Sequence, residues 1–333
     1  MKKEDLENIK LFIGPMSKNI VDSAINFCNK YNVKLGFIPS RRQIDFDSGY
    51  VNNWTTRTFT EYIKSKTNNI VLERDHGGPL QGQDLDDGNA SFFQDANHFD
   101  IIHIYVWKKY KKIHEGIEQT INYIKFCHHV NPNVLFEVGT EEAIRKFSVY
   151  ELNFLMHELK KHLNENIFNK IAYLVIQSGT SLLETKNTGV YDTIKLQDMI
   201  EIANTYNVLN KVHNGDYLNI EEIYDRYDYG LNAINIAPEF GQIETNCILE
   251  FIDKDTVLFN KFYDLCLNSN RWIKWVDKDF KPEDNKLELI KICGHYVLSE
   301  PEMKNIINNF SKELNELVQN KVSEKLYQII RPL

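Results

Sequence analysis

The stretch Glu73-Arg74-Asp75-His76-Gly77-Gly78-Pro79 sets a carboxylate beside an imidazole just after the apolar run that ends at Leu72. Further along, Lys211-Val212-His213-Asn214-Gly215-Asp216 and Phe136-Glu137-Val138-Gly139-Thr140-Glu141 close two more apolar runs with groups that can bind cations or move protons. His76, His213 and Glu137 make a two-histidine, one-carboxylate set. That ligand count, with one position left for water or a substrate oxygen, is expected of a catalytic zinc or a similar divalent ion. No local spacing of the HExxH kind ties the three together, so a hydrogen-bonded structural histidine is the competing reading. Asp75, beside a metal ligand, is placed to act as a base or to orient an imidazole.

Other run ends offer groups that suit a polar, oxygen-rich substrate. Arg41, Arg42 and Gln43 follow the second run, and the arginines are planar donors for a phosphate or carboxylate unless they lie on a solvated loop. Gln177, Ser178 and Thr180 follow the sixth, Asn214 and Asp216 the seventh, and Glu239 the eighth. His103, inside Ile101-Ile102-His103-Ile104-Tyr105, reads as an interior-facing residue rather than a loop ligand, and His128 and His129 close a helical pattern away from these ends.

Eight short apolar runs alternate with stretches whose apolar residues recur every three or four positions, such as Ile117, Ile121 and Ile124. Near-continuous apolar strands alternating with helices predict a parallel sheet covered on both faces, and eight of them predict closure into a (β/α)8 TIM barrel. Active groups then collect at the C-terminal ends of the strands, so the residues above form one ring. The alternation stops after the eighth run. It divides the chain into a barrel over 1–252 and a helical extension over 253–333, with helices expected near 256–268, 284–293 and 301–329. Ser299 and Glu302 have capping-box spacing at the start of the last one. Its apolar stripe, Met303 to Leu326, must pack on the barrel or meet another subunit.

The bulk properties exclude several functions. A net charge of −8, with basic residues scattered, lacks the footprint of a nucleic-acid binder. No apolar run is long enough to span a bilayer, and the N-terminal residues lack a signal-peptide core, which predicts a cytoplasmic protein with no membrane association. Five widely spaced cysteines without a CxxC pair read as reduced, buried thiols.

Taken in order, the stretches beginning at Arg41 (RRQIDFDSGYVNNWTTRTFTEYI), Glu73 (ERDHGGP), Phe136 (FEVGTEE), Tyr173 (YLVIQSGTS), Lys211 (KVHNGDY) and Asn235 (NIAPEFGQIET), with YVLSEPEM late in the chain, resemble the accessory, so-called non-catalytic subunit family of class II tagatose-bisphosphate aldolase. That family is related to zinc-dependent ketose-bisphosphate aldolases. The resemblance implies a (β/α)8 barrel, a sugar or sugar-phosphate substrate and a divalent metal, zinc being the expected one. It matches Asp75 to the proton-transferring aspartate, and His76 and His213 to zinc ligands. The aldolases carry a third histidine after strand six, where this chain reads Gln177-Ser178-Gly179-Thr180-Ser181, and Glu137 is the expected substitute. Their glycine-rich phosphate loop after the strand-seven histidine is replaced by His213-Asn214-Gly215-Asp216-Tyr217, which leaves Arg41 and Arg42 as the expected phosphate site.

Two functions follow as expectations. One is a metal-dependent aldolase-type lyase or epimerase on a ketose or sugar phosphate, with Asp75 moving the proton and Glu137 a second catalytic carboxylate. The other is a non-catalytic subunit that stabilises an aldolase partner. A homo-oligomer is compatible with either.

Overall fold

A computed structural model describes residues 2–330 other than Leu85 and Asp255; the last three positions of the expected extension lie outside the described residues. The eight apolar runs are eight parallel strands closed into a barrel. In chain order they are β1 (Leu11–Ile13), β2 (Leu35–Phe37), β3 (Ile70–Gly77), β4 (Ile101–Ile104), β5 (Leu135–Gly139), β6 (Ile171–Ile176), β9 (Leu209–Val212) and β10 (Ala233–Ile236). The sequence reading had no counterpart for β7 (Leu182–Leu183) and β8 (Lys186–Asn187), a small antiparallel hairpin after β6.

Helices α1 (Lys18–Tyr31), α2 (Thr56–Lys64), α3 (Asn89–His98), α4 (Ile113–Val130), α5 (Val149–His162), α6 (Glu165–Phe168), α7 (Thr193–Thr205), α8 (Ile220–Asp228) and α9 (Pro238–Phe251) cross over between strands and cover the outside. Ser17, Thr55, Ser148 and Asn219 cap α1, α2, α5 and α8 by accepting a backbone N–H, so the turns that enter these helices are set by local chemistry.

Side chains alternate in and out along each strand, and this alternation builds the interior. Phe12, Val71, Ile101, Leu135, Tyr173 and Ala233 form an apolar floor inside the barrel, joined from below by Leu6 and Ile9. Higher in the interior, five of the strands, β3, β4, β5, β9 and β10, turn polar, with Glu73, His103, Glu137, Lys211 and Asn235 all buried. Lys211 Nζ lies 2.5 Å from Glu73 and 2.6 Å from Glu137, over the faces of Phe12 and Tyr173 at 3.8 and 4.1 Å. One cation thus sits between two carboxyl groups directly below the mouth.

The extension forms α10 (Val257–Asn268), α11 (Lys286–Cys293), α12 (Pro301–Ile307) and α13 (Ser311–Ile330). The last expected helix is thus two, separated by a 3-10 turn at Asn308–Phe310. The capping box does not form, because Pro301 takes the first helical position and the Ser299 hydroxyl instead accepts the Asn52 N–H at 2.7 Å. On α13, Leu314, Val318, Val322, Leu326 and Ile329 are buried, and the helix packs on α1 and α9. The apolar stripe is therefore covered within the chain. One continuous apolar cluster runs from the barrel helices through the extension, so residue 252 marks the end of barrel connectivity and not a break in the core.

Candidate active site

Consecutive strand residues point to opposite faces, yet Asp75 and His76 both line the mouth. The register of β3 against β4 slips between Arg74 and Gly77, and His76 adopts φ 50°, a left-handed conformation unusual outside glycine. This bulge turns both side chains inward. His103 and His213 arrive from β4 and from just beyond β9, and ligand atoms of Asp75, His76, His103 and His213 all lie within 4.8 Å of one another.

The end of β5 holds all three imidazoles. His213 Nε2 contacts Glu137 at 2.8 Å, His103 Nε2 contacts the Gly139 carbonyl at 3.2 Å, and His76 Nε2 contacts Glu141 at 3.3 Å. These acceptors are spaced two residues apart along the end of β5 and the turn that follows it. Each Nε2–H therefore donates to β5 or the residues just after it, which leaves each Nδ1 facing Asp75, at 3.4, 3.6 and 3.8 Å for His76, His103 and His213, as a ligand atom once deprotonated. Gly139 has φ 109°, and a Cβ there would meet the Val175 carbonyl at 2.9 Å, so the carbonyl that orients His103 needs glycine at this position. Tyr105 completes the frame by donating to Glu141 at 3.1 Å.

The charges follow from this arrangement. Burial works to raise the Glu137 carboxyl, but Lys211, His213 and His103 hold it well below its ordinary range. Burial and the neighbouring Glu137 charge push Glu73 up against the pull of Lys211. Burial would also raise Asp75, but His76, His213 and His103 keep it lowered and ionised. For His76, burial is outweighed by Asp75 and Glu141, which lift it to about 9.

The arrangement fits a cation. The buried His103 Nδ1 and Asp75 Oδ1 have no hydrogen-bond partner among the described residues. The groups nearest His103 Nδ1 are the Glu137 and Asp75 oxygens at 3.4 and 3.6 Å, which are acceptors like itself. Acceptors converging without a donor call for a metal ion or a proton.

Several expected residues take other roles. Glu137 is not in the cluster, because both of its oxygens are engaged by His213 and Lys211; His103 brings the third imidazole instead. Arg41 is buried, donating to Asp45 at 2.9 Å, to Asp86 at 2.6 and 2.7 Å and to the Gly78 carbonyl at 2.7 Å, so it ties two loops together and is not free for an anion. Gln177 donates to the Thr140 and Arg145 carbonyls, Ser178 accepts from Arg226, and Thr180 donates to the His213 carbonyl at 2.8 Å; all three are buried behind the mouth. Glu239 pairs with Lys325 at 2.5 Å in a groove between α9 and α13, away from the mouth.

Arg42, Gln43, Asn214 and Asp216 do line the mouth, a cavity of about 710 Å³. Asp216 accepts the N–H groups of Ala237 and Glu239 at 2.9 and 2.8 Å, and burial with the Glu239 charge raises it to about 7. Asn235 also faces this cavity and went unread in the sequence. It is 4% exposed, and neither its amide nitrogen nor its oxygen has a partner among the described residues.

No protein-family model matches the chain, and no curated protein sequence matches it. Among solved structures it is similar to a probable tagatose 6 phosphate kinase from Sinorhizobium meliloti 1021, with TM-score 0.79, 12% identity, 97% of this chain and 100% of that one covered. These likenesses show the fold. The YdjI aldolase from Escherichia coli K12 superposes with TM-score 0.58 at 11% identity, covering 98% of this chain and 94% of the other. The fructuronate-tagaturonate epimerase UxaE from Cohnella laeviribosi gives TM-score 0.63 at 9% identity, covering 96% and 81%. Among the described residues no helix is long and apolar enough to cross a membrane.

Proposed function

We propose that the protein is a metal-dependent carbon–carbon lyase or epimerase acting on a ketose or sugar phosphate. The observation that carries this reading is the convergence of three imidazoles and one carboxylate at the barrel mouth, with His103 Nδ1 and Asp75 Oδ1 buried and unpartnered. The residues that would hold the ion are His76, His103 and His213, and imidazole ligands in a three-residue set suit zinc. A divalent cation bound there supplies Lewis-acid polarisation of a substrate carbonyl.

The chain's own residues do the rest. Asp75 is kept as a carboxylate by the neighbouring imidazoles and, partly exposed to the cavity, is placed to take a proton from a substrate hydroxyl or an acidified C–H. Glu137, Gly139 and Glu141 fix the imidazole tautomers, which makes Glu137 a positioning group. Asn235 offers a donor and an acceptor to a sugar hydroxyl. The aldolase and epimerase barrels of like fold support this reaction class.

The reading is tested by incubating the zinc-loaded protein with ketose phosphates in D2O and following C–H exchange by NMR. Exchange that Asp75→Asn abolishes while metal content stays unchanged is the expected result. Exchange that persists in Asp75→Asn removes Asp75 from the mechanism.

The alternative role, stabilising an aldolase partner, would need a surface other than the α13 stripe, because that stripe is covered by α1 and α9.

A further inference from the structure

The rim of the mouth facing the extension carries a cluster of positive charge. Arg42 from the loop after β2, with Arg271 and Lys274 from the segment between α10 and α11, lines the same cavity as Asp75, His76 and His213. None of the three cations has a carboxylate ion-pair partner among the described residues. Acidic residues outnumber basic ones in this chain by 47 to 39, so unpaired cations gathered in one cavity point to a counter-ion that the protein itself does not supply.

Aromatic rings, which add no negative charge, hold Arg271 and Lys274 in place. Tyr50 and Tyr296 meet edge to face at 5.1 Å, and the Arg271 guanidinium lies 4.8 and 5.4 Å from their centroids. Lys274 Nζ sits 4.2 Å from the Trp275 ring, and Trp275 Nε1–H donates to the Tyr296 hydroxyl at 3.0 Å. The segment is also tied to the hairpin after β6, with the Glu184 N–H donating to the Trp275 carbonyl at 2.6 Å. Guanidinium groups stacked on rings keep their N–H edges free for an oxyanion. Nearby, burial and then the positive charges of Arg42 and Lys274 lower Lys108, and burial with Lys274 and Arg271 lowers His295 to about 3.

We propose that Arg42, Arg271 and Lys274 form an anion site that takes the phosphate monoester of the substrate, while Asn235 and the histidine cluster address its sugar. The sugar part of this inference rests on the function proposed above; the anion site does not. A phosphate dianion, with three acceptor oxygens, matches three separate cationic donors better than a carboxylate does.

The test is calorimetric titration of the full chain kept metal-free with EDTA, so that failure of the metal reading cannot mimic failure of this one. The probes are a ketohexose monophosphate, the unphosphorylated ketose and a keto-uronate, with inorganic phosphate as competitor. The expected result is that the monophosphate binds about 100-fold more tightly than the ketose and is displaced by inorganic phosphate. Arg271→Gln and Lys274→Gln, which alter half-buried and exposed side chains, should each weaken it about tenfold, in line with loss of one charge-assisted contact, with unchanged melting curves. Equal affinity for the ketose and its phosphate, or undiminished affinity in both variants, overturns the site. Uronate binding as tight as the monophosphate overturns the phosphate assignment in favour of a carboxylate.

Discussion

Replacing Lys211 with Met removes the ammonium that Glu73 and Glu137 share at 2.5 and 2.6 Å while keeping an unbranched stem against Phe12 and Tyr173. All three groups are fully buried. Removing one partner of a buried ion pair costs about 3–5 kcal/mol, because the remaining charge has neither water nor a counter-ion. Two carboxylates respond here. Glu73 is already raised, by burial and by Glu137, and Glu137 loses Lys211, the largest influence holding it down, so both rise in the variant. A carboxyl whose folded pKa is raised contributes stability that is fully present below the unfolded value of about 4.3 and is lost as pH climbs through the folded value. The deficit of Lys211→Met relative to wild type should therefore be small near pH 5 and approach the full cost near pH 8. Urea unfolding of both proteins across that range measures it. A deficit below about 1 kcal/mol, the worth of an exposed pair, or one that does not change with pH would refute the reasoning.

Glu137→Gln should keep the fold while lowering zinc affinity about 10- to 100-fold, as loss of a carboxylate that orients a ligand imidazole does; competition with a chromophoric chelator reads it. Asp216→Asn should differ least from wild type near pH 4 and gain stability over it progressively up to about pH 7, staying level above that, because the Asp216 carboxyl, raised to about 7, holds its proton in the folded wild type over a range where the unfolded chain has already ionised. Thermal melts at the two pH values check the sign.

The barrel was legible because each strand is a short apolar run buried on both faces, a pattern helices do not share. Placing Asp75, His76 and His213 at one rim followed from strand count alone. His103 was read as interior, which it is, but the alternation from Ile101 through His103 to Tyr105 also points it at the cluster, and that inference needed the height of β4 relative to β3. Arg41 and Arg42 are adjacent in sequence, so nothing local tells which one Asp45 and Asp86 will enclose. Glu137 was taken for a ligand because its partner Lys211 lies 74 positions away on β9, a contact only barrel closure creates. Arg271 and Lys274 were invisible as site residues for a similar reason, since periodicity describes the extension's helices and not where their connecting segment lies.

The central claim is that imidazoles from β3, β4 and the end of β9 hold one divalent ion. Elemental analysis of the protein after zinc loading and gel filtration, beside His103→Ala treated identically, tests it most directly. The account predicts about one zinc per wild-type chain, as a single catalytic site requires, and a large loss of zinc in the variant. A wild-type chain that retains no zinc, or a His103→Ala chain that retains as much as wild type, would contradict it.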